Sequence, residues 1–257
     1  IWSDDKCLLG HTRLSIIDLS DSAAQPMHSA CNNFVVTFNG EIYNFLELRK
    51  ALSDHYSFST DSDTEVLLAG WIHYGYDFFD LIDGMFACAI WDKCNQKIIL
   101  ARDKFGEKPL YYSFIDNILT FSSRPSELFL LNKYLIKSLD YANCSMFLES
   151  GYFPGYRSCF NNVSKVLPSS YIVFSKSKTL RKSYWDFAQI PTNNDLLKAN
   201  KIDLLDELEN LFISSIKRRL IADVPVGAFL SGGIDSSLVV ALAAKFSNSQ
   251  LKTFTIG

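Results

Sequence analysis

Apolar and polar positions alternate along this chain in a way that first predicts strands and later a long helix. Short runs rich in β-branched and aromatic residues recur in the first part: Phe34-Val35-Val36-Thr37-Phe38, Gly84 to Trp91, Lys97 to Ala101, Pro109-Leu110-Tyr111-Tyr112, Ile118 to Phe121 and Tyr171-Ile172-Val173-Phe174. Such runs predict strands, and the turn-forming Asp92-Lys93-Cys94-Asn95 joins two of them. Cys7 to Asp18 reads as another strand, with Arg13 as a charge among apolar neighbours. Between them, Glu41 to Leu52 predicts a weak helix and Thr64 to Tyr74 a stronger one, opened by the acidic Asp61-Ser62-Asp63.

The polar, aperiodic Gln189-Ile190-Pro191-Thr192-Asn193-Asn194-Asp195 predicts a domain boundary, dividing the chain into residues 1–190 and 191–257. Beyond it, Leu204, Leu208, Leu211, Phe212 and Ile216 recur at helical spacing, with Lys217-Arg218-Arg219 placed to complement the helix C-terminus. Val226 to Leu230 then reads as a strand buried on both faces, Ser231-Gly232-Gly233 as a tight loop, and Leu238 to Phe246 as a helix capped by Ser236-Ser237. Leu251 to Ile256 reads as one more strand.

Composition narrows the class of protein without naming a chemistry. In 257 residues, 48% hydrophobic and 21% charged, there is material for one large or two ordinary folded domains. A net charge of -3 offers no general attraction to nucleic acid or to anionic membrane. No apolar run approaches the roughly 18 residues that span a bilayer. The six cysteines show no Cys-x-x-Cys spacing and the four histidines no ligand pair, which suits a reduced, cytoplasmic setting and argues against a zinc site.

Candidate chemistry concentrates at Ser231-Gly232-Gly233-Ile234-Asp235-Ser236-Ser237. Adjacent glycines allow close approach of a ligand, and the N–H groups at a helix start suit an anion. Neither a Lys-Ser or Lys-Thr pair nor Gly-x-Gly-x-x-Gly is present. The string resembles the pyrophosphate loop of ATP pyrophosphatases, and the flanking Asp223-Val224-Pro225-Val226-Gly227 is similar to the asparagine synthetase family. Three earlier stretches, Arg13-Leu14-Ser15-Ile16-Ile17-Asp18, Asn39-Gly40-Glu41-Ile42-Tyr43-Asn44 and Ser62-Asp63-Thr64-Glu65-Val66, resemble the glutaminase domain of class II glutamine amidotransferases, which are N-terminal nucleophile hydrolases. Ala101 to Tyr112 also matches the family pattern, and its composition suggests only a structural role.

The resemblance implies an α+β domain of αββα type followed by the start of an α/β ATP-pyrophosphatase domain. It implies that Arg13 pairs with the α-carboxylate of glutamine, Asp63 with its α-ammonium, and that Asn39 and Gly40 stabilise a tetrahedral oxyanion, with Ile17 and Glu41 lining the pocket. Leu230, Ser231, Gly232, Gly233, Asp235, Ser236 and Ser237 would bind ATP, with magnesium on Asp235. Each residue also has an ordinary reading: Arg13 as an ion pair, Asn39-Gly40 as a hairpin turn, Asp63 as a helix cap. The implied enzyme is an ATP-dependent carbon–nitrogen ligase making asparagine from aspartate, with AMP and pyrophosphate released and glutamine as ammonia donor. Its partners would be small molecules, and homodimers occur in the family. Two alternatives stay open: an amidotransferase acting on another carboxylate, such as a polysaccharide sugar or β-lactam precursor, and a non-catalytic glutamine- or nucleotide-binding fragment.

In that family the nucleophile is a Cys at the mature N-terminus, activated by its own α-amine. No such residue stands at Ile1, and Cys7 reads as a core cysteine. The chain is therefore expected to be a fragment that keeps most of a glutamine pocket, hydrolyses no glutamine itself, and is missing further strands and helices of its second domain.

Overall fold

A computed structural model describes residues 1–176, 178–190, 200–247 and 250–256. In chain order the strands of the first part are β1 (Trp2–Ser3), β2 (Leu8–Leu9), β3 (Met27–His28), β4 (Phe34–Ile42), β5 (Gly84–Asp92), β6 (Lys97–Arg102), β7 (Tyr111–Ile115), β8 (Ile118–Ser122), β9 (Ser164–Lys165), β10 (Ser170–Ser175) and β11 (Thr179–Ser183). The helices among them are α1 (Phe45–Leu52), α2 (Asp63–Tyr74), α3 (Phe78–Leu81), α4 (Pro125–Leu131) and α5 (Tyr141–Ser150). The last part holds α6 (Lys201–Arg219), β12 (Gly227–Phe229), α7 (Ile234–Phe246) and β13 (Lys252–Phe254).

Six strands form one sheet in the order β11-β10-β6-β5-β4-β3, every described pairing antiparallel. Successive side chains of a strand point to opposite faces, so a strand covered on both sides reads as an unbroken apolar run. β5 behaves this way. Phe86, Cys88 and Ile90 join Phe38, Ile99 and Val173 beneath Val66, Leu67, Phe78 and Phe79 of α2 and α3. Ala87, Ala89 and Trp91 turn the other way, with Leu100 and Ile172, toward Tyr112 and the partly buried Leu119 and Phe121 of the second sheet, β8-β7-β9. Leu128 of α4 closes the outer side of that sheet with Leu135 and Val163. The layers are therefore helix, sheet, sheet, helix, the αββα arrangement expected.

Several local expectations change. Of the predicted strand Cys7 to Asp18, only Leu8–Leu9 is extended in a ribbon with β1; the rest is a loop. The ordinary reading of Asn39-Gly40 as a hairpin turn does not hold, because β4 runs through it to Ile42, paired with β5 throughout. α1 consequently starts later, at Phe45. Ser62, and not Asp63, caps α2, its hydroxyl accepting from the Thr64 N–H at 3.1 Å. Between β8 and β9 lie α4 and α5, which the apolar spacing does not reveal.

β12 and β13 pair in parallel. Phe229 is 77% exposed, so β12 is not covered on both faces among the described residues. α7 begins at Ile234 with Gly233 as its N-cap, so Ser236 and Ser237 lie inside its first turn and do not cap it. The predicted boundary at residue 190 adjoins residues 191–199, which lie outside the described residues. Lys217-Arg218-Arg219 do more than complement a helix end. Arg218 pairs with Asp83 at 2.8 Å and Glu47 at 3.2 Å, and Arg219 lies over the Tyr43 ring at 4.2 Å. Among the described residues no helix is long and apolar enough to cross a membrane.

Candidate functional site

A cleft of about 720 Å³ opens where the two sheets meet the unpaired end of β4. β3 pairs only with Val35 and Val36, so the edge of β4 beyond Thr37 is left without a strand neighbour among the described residues. Side chains take its place. The Gln25 amide donates to the Phe38 carbonyl at 3.0 Å and accepts the Phe38 N–H at 2.6 Å. The Asp63 carboxylate accepts the Ile42 N–H at 3.0 Å.

Gly40 lies between these two positions. Its cross-strand partner Phe86 sends both backbone groups toward Asp103, away from β4. Antiparallel ladders alternate bonded and non-bonded pairs, so the Gly40 N–H points to the same open edge as those of Phe38 and Ile42. The close pairing also explains the glycine. A Cβ there would lie 2.1 Å from the Met85 carbonyl oxygen and 2.7 Å from the Phe86 Cα.

All six residues that the resemblance assigned to glutamine line this one cleft: Arg13, Ile17, Asn39, Gly40, Glu41 and Asp63. They come from three separate segments, so their convergence is a product of the fold. Arg13 is fixed by its own loop, with Nη2 donating to the carbonyls of Ile17 and Asp18 at 2.7 Å each. Its Nη1 makes only a 3.4 Å contact to Ser20 O, and no carboxylate among the described residues pairs with it. A half-engaged guanidinium of this kind suits an incoming carboxylate.

Asp63 is buried, and desolvation pushes its carboxyl up to about 6, with Glu41 adding to the rise against the pull of the Ile42 N–H. Burial likewise raises Glu41, offset by Lys108 across the cleft. His11 is lowered by burial and by Arg13. The site therefore sets Arg13 beside two carboxylates reluctant to ionise, Asp63 and Glu41, with Lys108, Arg124 and Glu127 also on its lining, an arrangement that suits a ligand bearing both a carboxylate and an ammonium.

Ser123, on the loop after β8, was not legible as a site residue; its hydroxyl accepts from Asn39 Nδ2 at 3.4 Å. Lys108 reaches the cleft from the Ala101–Tyr112 stretch, whose structural role is visible. The buried Asp103 carboxylate accepts the N–H groups of Phe86, Phe105, Glu107 and Lys108 at 2.9 to 3.1 Å. Arg102 binds the carbonyls of Lys108 and Val166. Cys7 packs against the core outside the cleft, its thiol pushed up to about 12 by burial.

The second group of assigned residues lies apart, and none of Leu230 to Ser237 lines the cleft. Gly232 has φ +81 with open space where a Cβ would stand. The Ser231 and Ser236 hydroxyls are 3.0 Å apart, Asp235 is in the first turn of α7, and Gly233 leaves that helix start without a side-chain cap. The Leu230 N–H is taken by the Phe254 carbonyl and its own carbonyl accepts from Thr255 Oγ1, leaving little of its backbone for a ligand. Among the described residues no three His, Cys, Asp or Glu side chains are grouped to hold a metal ion.

Residues 1–185 match the family model described as a glutamine amidotransferase domain, and residues 207–257 match the asparagine synthase model. The chain is similar to asparagine synthetase [glutamine-hydrolyzing] 1 of Bacillus subtilis, 36% identical over all of this chain and 39% of that protein. It is 32% identical to asparagine synthetase 3 of the same organism, over all of this chain and 42% of the relative, and 35% identical to asparagine synthetase 2 of Arabidopsis thaliana, over 98% and 39%. The chain thus spans well under two thirds of these relatives. Among solved structures, the glutamine phosphoribosylpyrophosphate amidotransferase of B. subtilis overlays with a TM-score of 0.43 at 17% identity, covering 90% of this chain and 48% of that one. With more than half of its length matched by that model, and with the model's span containing the whole cleft, the chain belongs to the glutamine amidotransferase domain family.

Proposed function

We propose that the cleft binds glutamine as an ammonia donor, in a protein that uses ATP to make asparagine from aspartate. The observation that carries the first half is the convergence of Arg13, Ile17, Asn39, Gly40, Glu41 and Asp63 on one cleft at the open edge of β4. Arg13 holds the α-carboxylate with the half of its guanidinium that the loop leaves free. Asp63, ionised by the approach of the α-ammonium, holds the other end of the amino acid. The side-chain amide then lies toward Asn39 and Gly40, whose Nδ2 and N–H donate to the oxyanion formed when that amide is attacked. Hydrolysis consumes water and gives glutamate and ammonia.

The second half rests on the Ser231–Ser237 turn. Gly232, Gly233 and the uncapped start of α7 fit a pyrophosphate, with the Ser231, Ser236 and Ser237 hydroxyls as further donors and Asp235 as a carboxylate for magnesium. Magnesium ATP supplies the activation of a carboxylate as an acyl-adenylate, which makes it electrophilic enough for ammonia. A lone carboxylate suffices because phosphate oxygens and waters provide most magnesium ligands.

The test is calorimetric titration of the chain with L-glutamine, beside L-asparagine as control. Saturable binding of glutamine, lost in Arg13→Ala, is the expected result; no heat with glutamine, or equal heats for both amino acids, overturns the reading.

A further inference from the structure

We propose that Asp223, at the head of the segment leading into β12, is a positioning residue for the glutamine cleft. The inference rests on the reading of that cleft as a glutamine site. Asp223 meets the Arg13 loop through two hydrogen bonds that run in opposite directions. Its N–H donates to the Ile16 carbonyl at 2.9 Å, and its Oδ2 accepts the Asp18 N–H at 2.7 Å. Asp223 thus clasps both ends of Ile16–Asp18, the segment whose carbonyls fix the Arg13 guanidinium.

That segment needs a clasp. Asp18 has φ +56, a left-handed conformation that is uncommon outside glycine, although aspartate reaches it more readily than most residues. Its carboxylate is spent on the Ser20 N–H and hydroxyl and on the Asp61 N–H, which ties the loop to the start of α2. The remaining group that must be satisfied to hold this φ is the Asp18 N–H, and Asp223 supplies the acceptor. With a charged acceptor, the bond is among the stronger kinds.

A second connection runs beside the first. Arg219 lies over Tyr43, and Arg218 bonds Asp83, whose carbonyl accepts the Tyr43 N–H at 2.7 Å. The end of α6 and the segment after it therefore touch both the Arg13 loop and the turn at Tyr43 that directly follows β4, the strand carrying Asn39, Gly40 and Glu41. Asp223 does not itself line the cleft; it acts through Ile16, Ile17 and Asp18 on Arg13.

Three variants of the 257-residue chain test this: Asp223→Ala, Asp223→Asn and Arg13→Ala. The asparagine side chain keeps an oxygen that can accept the Asp18 N–H. Asp223→Ala is expected to weaken glutamine binding about tenfold, the effect of losing one charge-assisted bond that orders the loop, with faster hydrogen exchange at the Asp18 amide. Asp223→Asn is expected to restore most of both, which an effect on general folding would not do. Wild-type affinity in Asp223→Ala alongside lost binding in Arg13→Ala overturns the inference and leaves the glutamine reading standing. Unchanged exchange at the Asp18 amide in Asp223→Ala also overturns it. Absence of glutamine binding by the unaltered chain removes the cleft's assignment, and the inference falls with it.

Discussion

Acidification should weaken glutamine binding through Asp63 in a range where neither charged group of free glutamine titrates. Burial holds this carboxyl at about 6, against 3.8 for an ordinary aspartate. That difference corresponds to about 3 kcal/mol favouring the protonated form in the folded chain. In the empty protein the group works against the usual carboxylate pattern: its contribution to stability is present at low pH and is lost as pH rises from 3.8 to about 6. Ligand binding has the opposite sign. The α-ammonium needs the ionised form, so affinity is full above about pH 7 and falls close to tenfold for each unit below about 6. At about pH 5 the dissociation constant should be roughly tenfold higher than at about pH 7.5. Glu41, Glu127, Arg13, Arg124, Lys108 and His11 share the cleft, and burial shifts Glu41 in the same direction as Asp63, so a variant must isolate Asp63. Asp63→Asn keeps an acceptor for the Ile42 N–H and removes the titrating group. Calorimetric titrations with glutamine across this range should show weak, nearly pH-independent binding in the variant. A flat profile in the unaltered chain, or the same slope in Asp63→Asn, would refute the assignment of the ammonium to Asp63.

Gly40→Ala should destabilise the chain by about 3 kcal/mol, because the new methyl meets the backbone of Met85 and Phe86 rather than a movable side chain; a denaturation midpoint equal to wild type would show that β4 and β5 do not approach this closely. Asp103→Ala removes the acceptor of four N–H groups around a fully buried carboxylate and should cost about 3 to 5 kcal/mol, read in urea. A thiol reagent at neutral pH should label the exposed Cys31, whose thiol is lowered by the Ser29 hydroxyl, and the exposed Cys94, while Cys7 and Cys88, both pushed up to about 12 by burial, react only on unfolding. Peptide mapping by mass spectrometry orders them.

The parts of the fold that could be read in advance are those where one local pattern decides. β5 is an apolar run because both its faces are covered, and β6 and β10 beside it share that cause. The apolar composition of the Arg13 loop predicts a strand, yet Leu14 is 83% exposed and the loop is shaped by contacts with Asp61 and with Asp223, a partner 205 residues from Asp18. No spacing rule reaches that far. α4 and α5 carried terminal signals that outweigh their weak periodicity: Pro125 in the first turn of one, and Asp140 and Gly151 at the two ends of the other. The cleft was legible because its residues sit in contiguous strings, whereas Ser123 joins it only through the meeting of β4 with the β8–α4 loop.

The contacts between α6 and the first part of the chain have a consequence for solution conditions. They are made mostly of charge, with Arg218, Asp83 and Glu47 37%, 46% and 58% exposed and Ile221 as a partly buried apolar contribution. Such contacts are screened as the Debye length shrinks from about 8 Å at physiological ionic strength to about 3 Å at 1 M, whereas the apolar cores on either face of the large sheet are indifferent to it. Salt is thus a dial for this seam: raising it loosens α6 from Glu47 and Asp83 while the two-sheet body that frames the cleft stays folded.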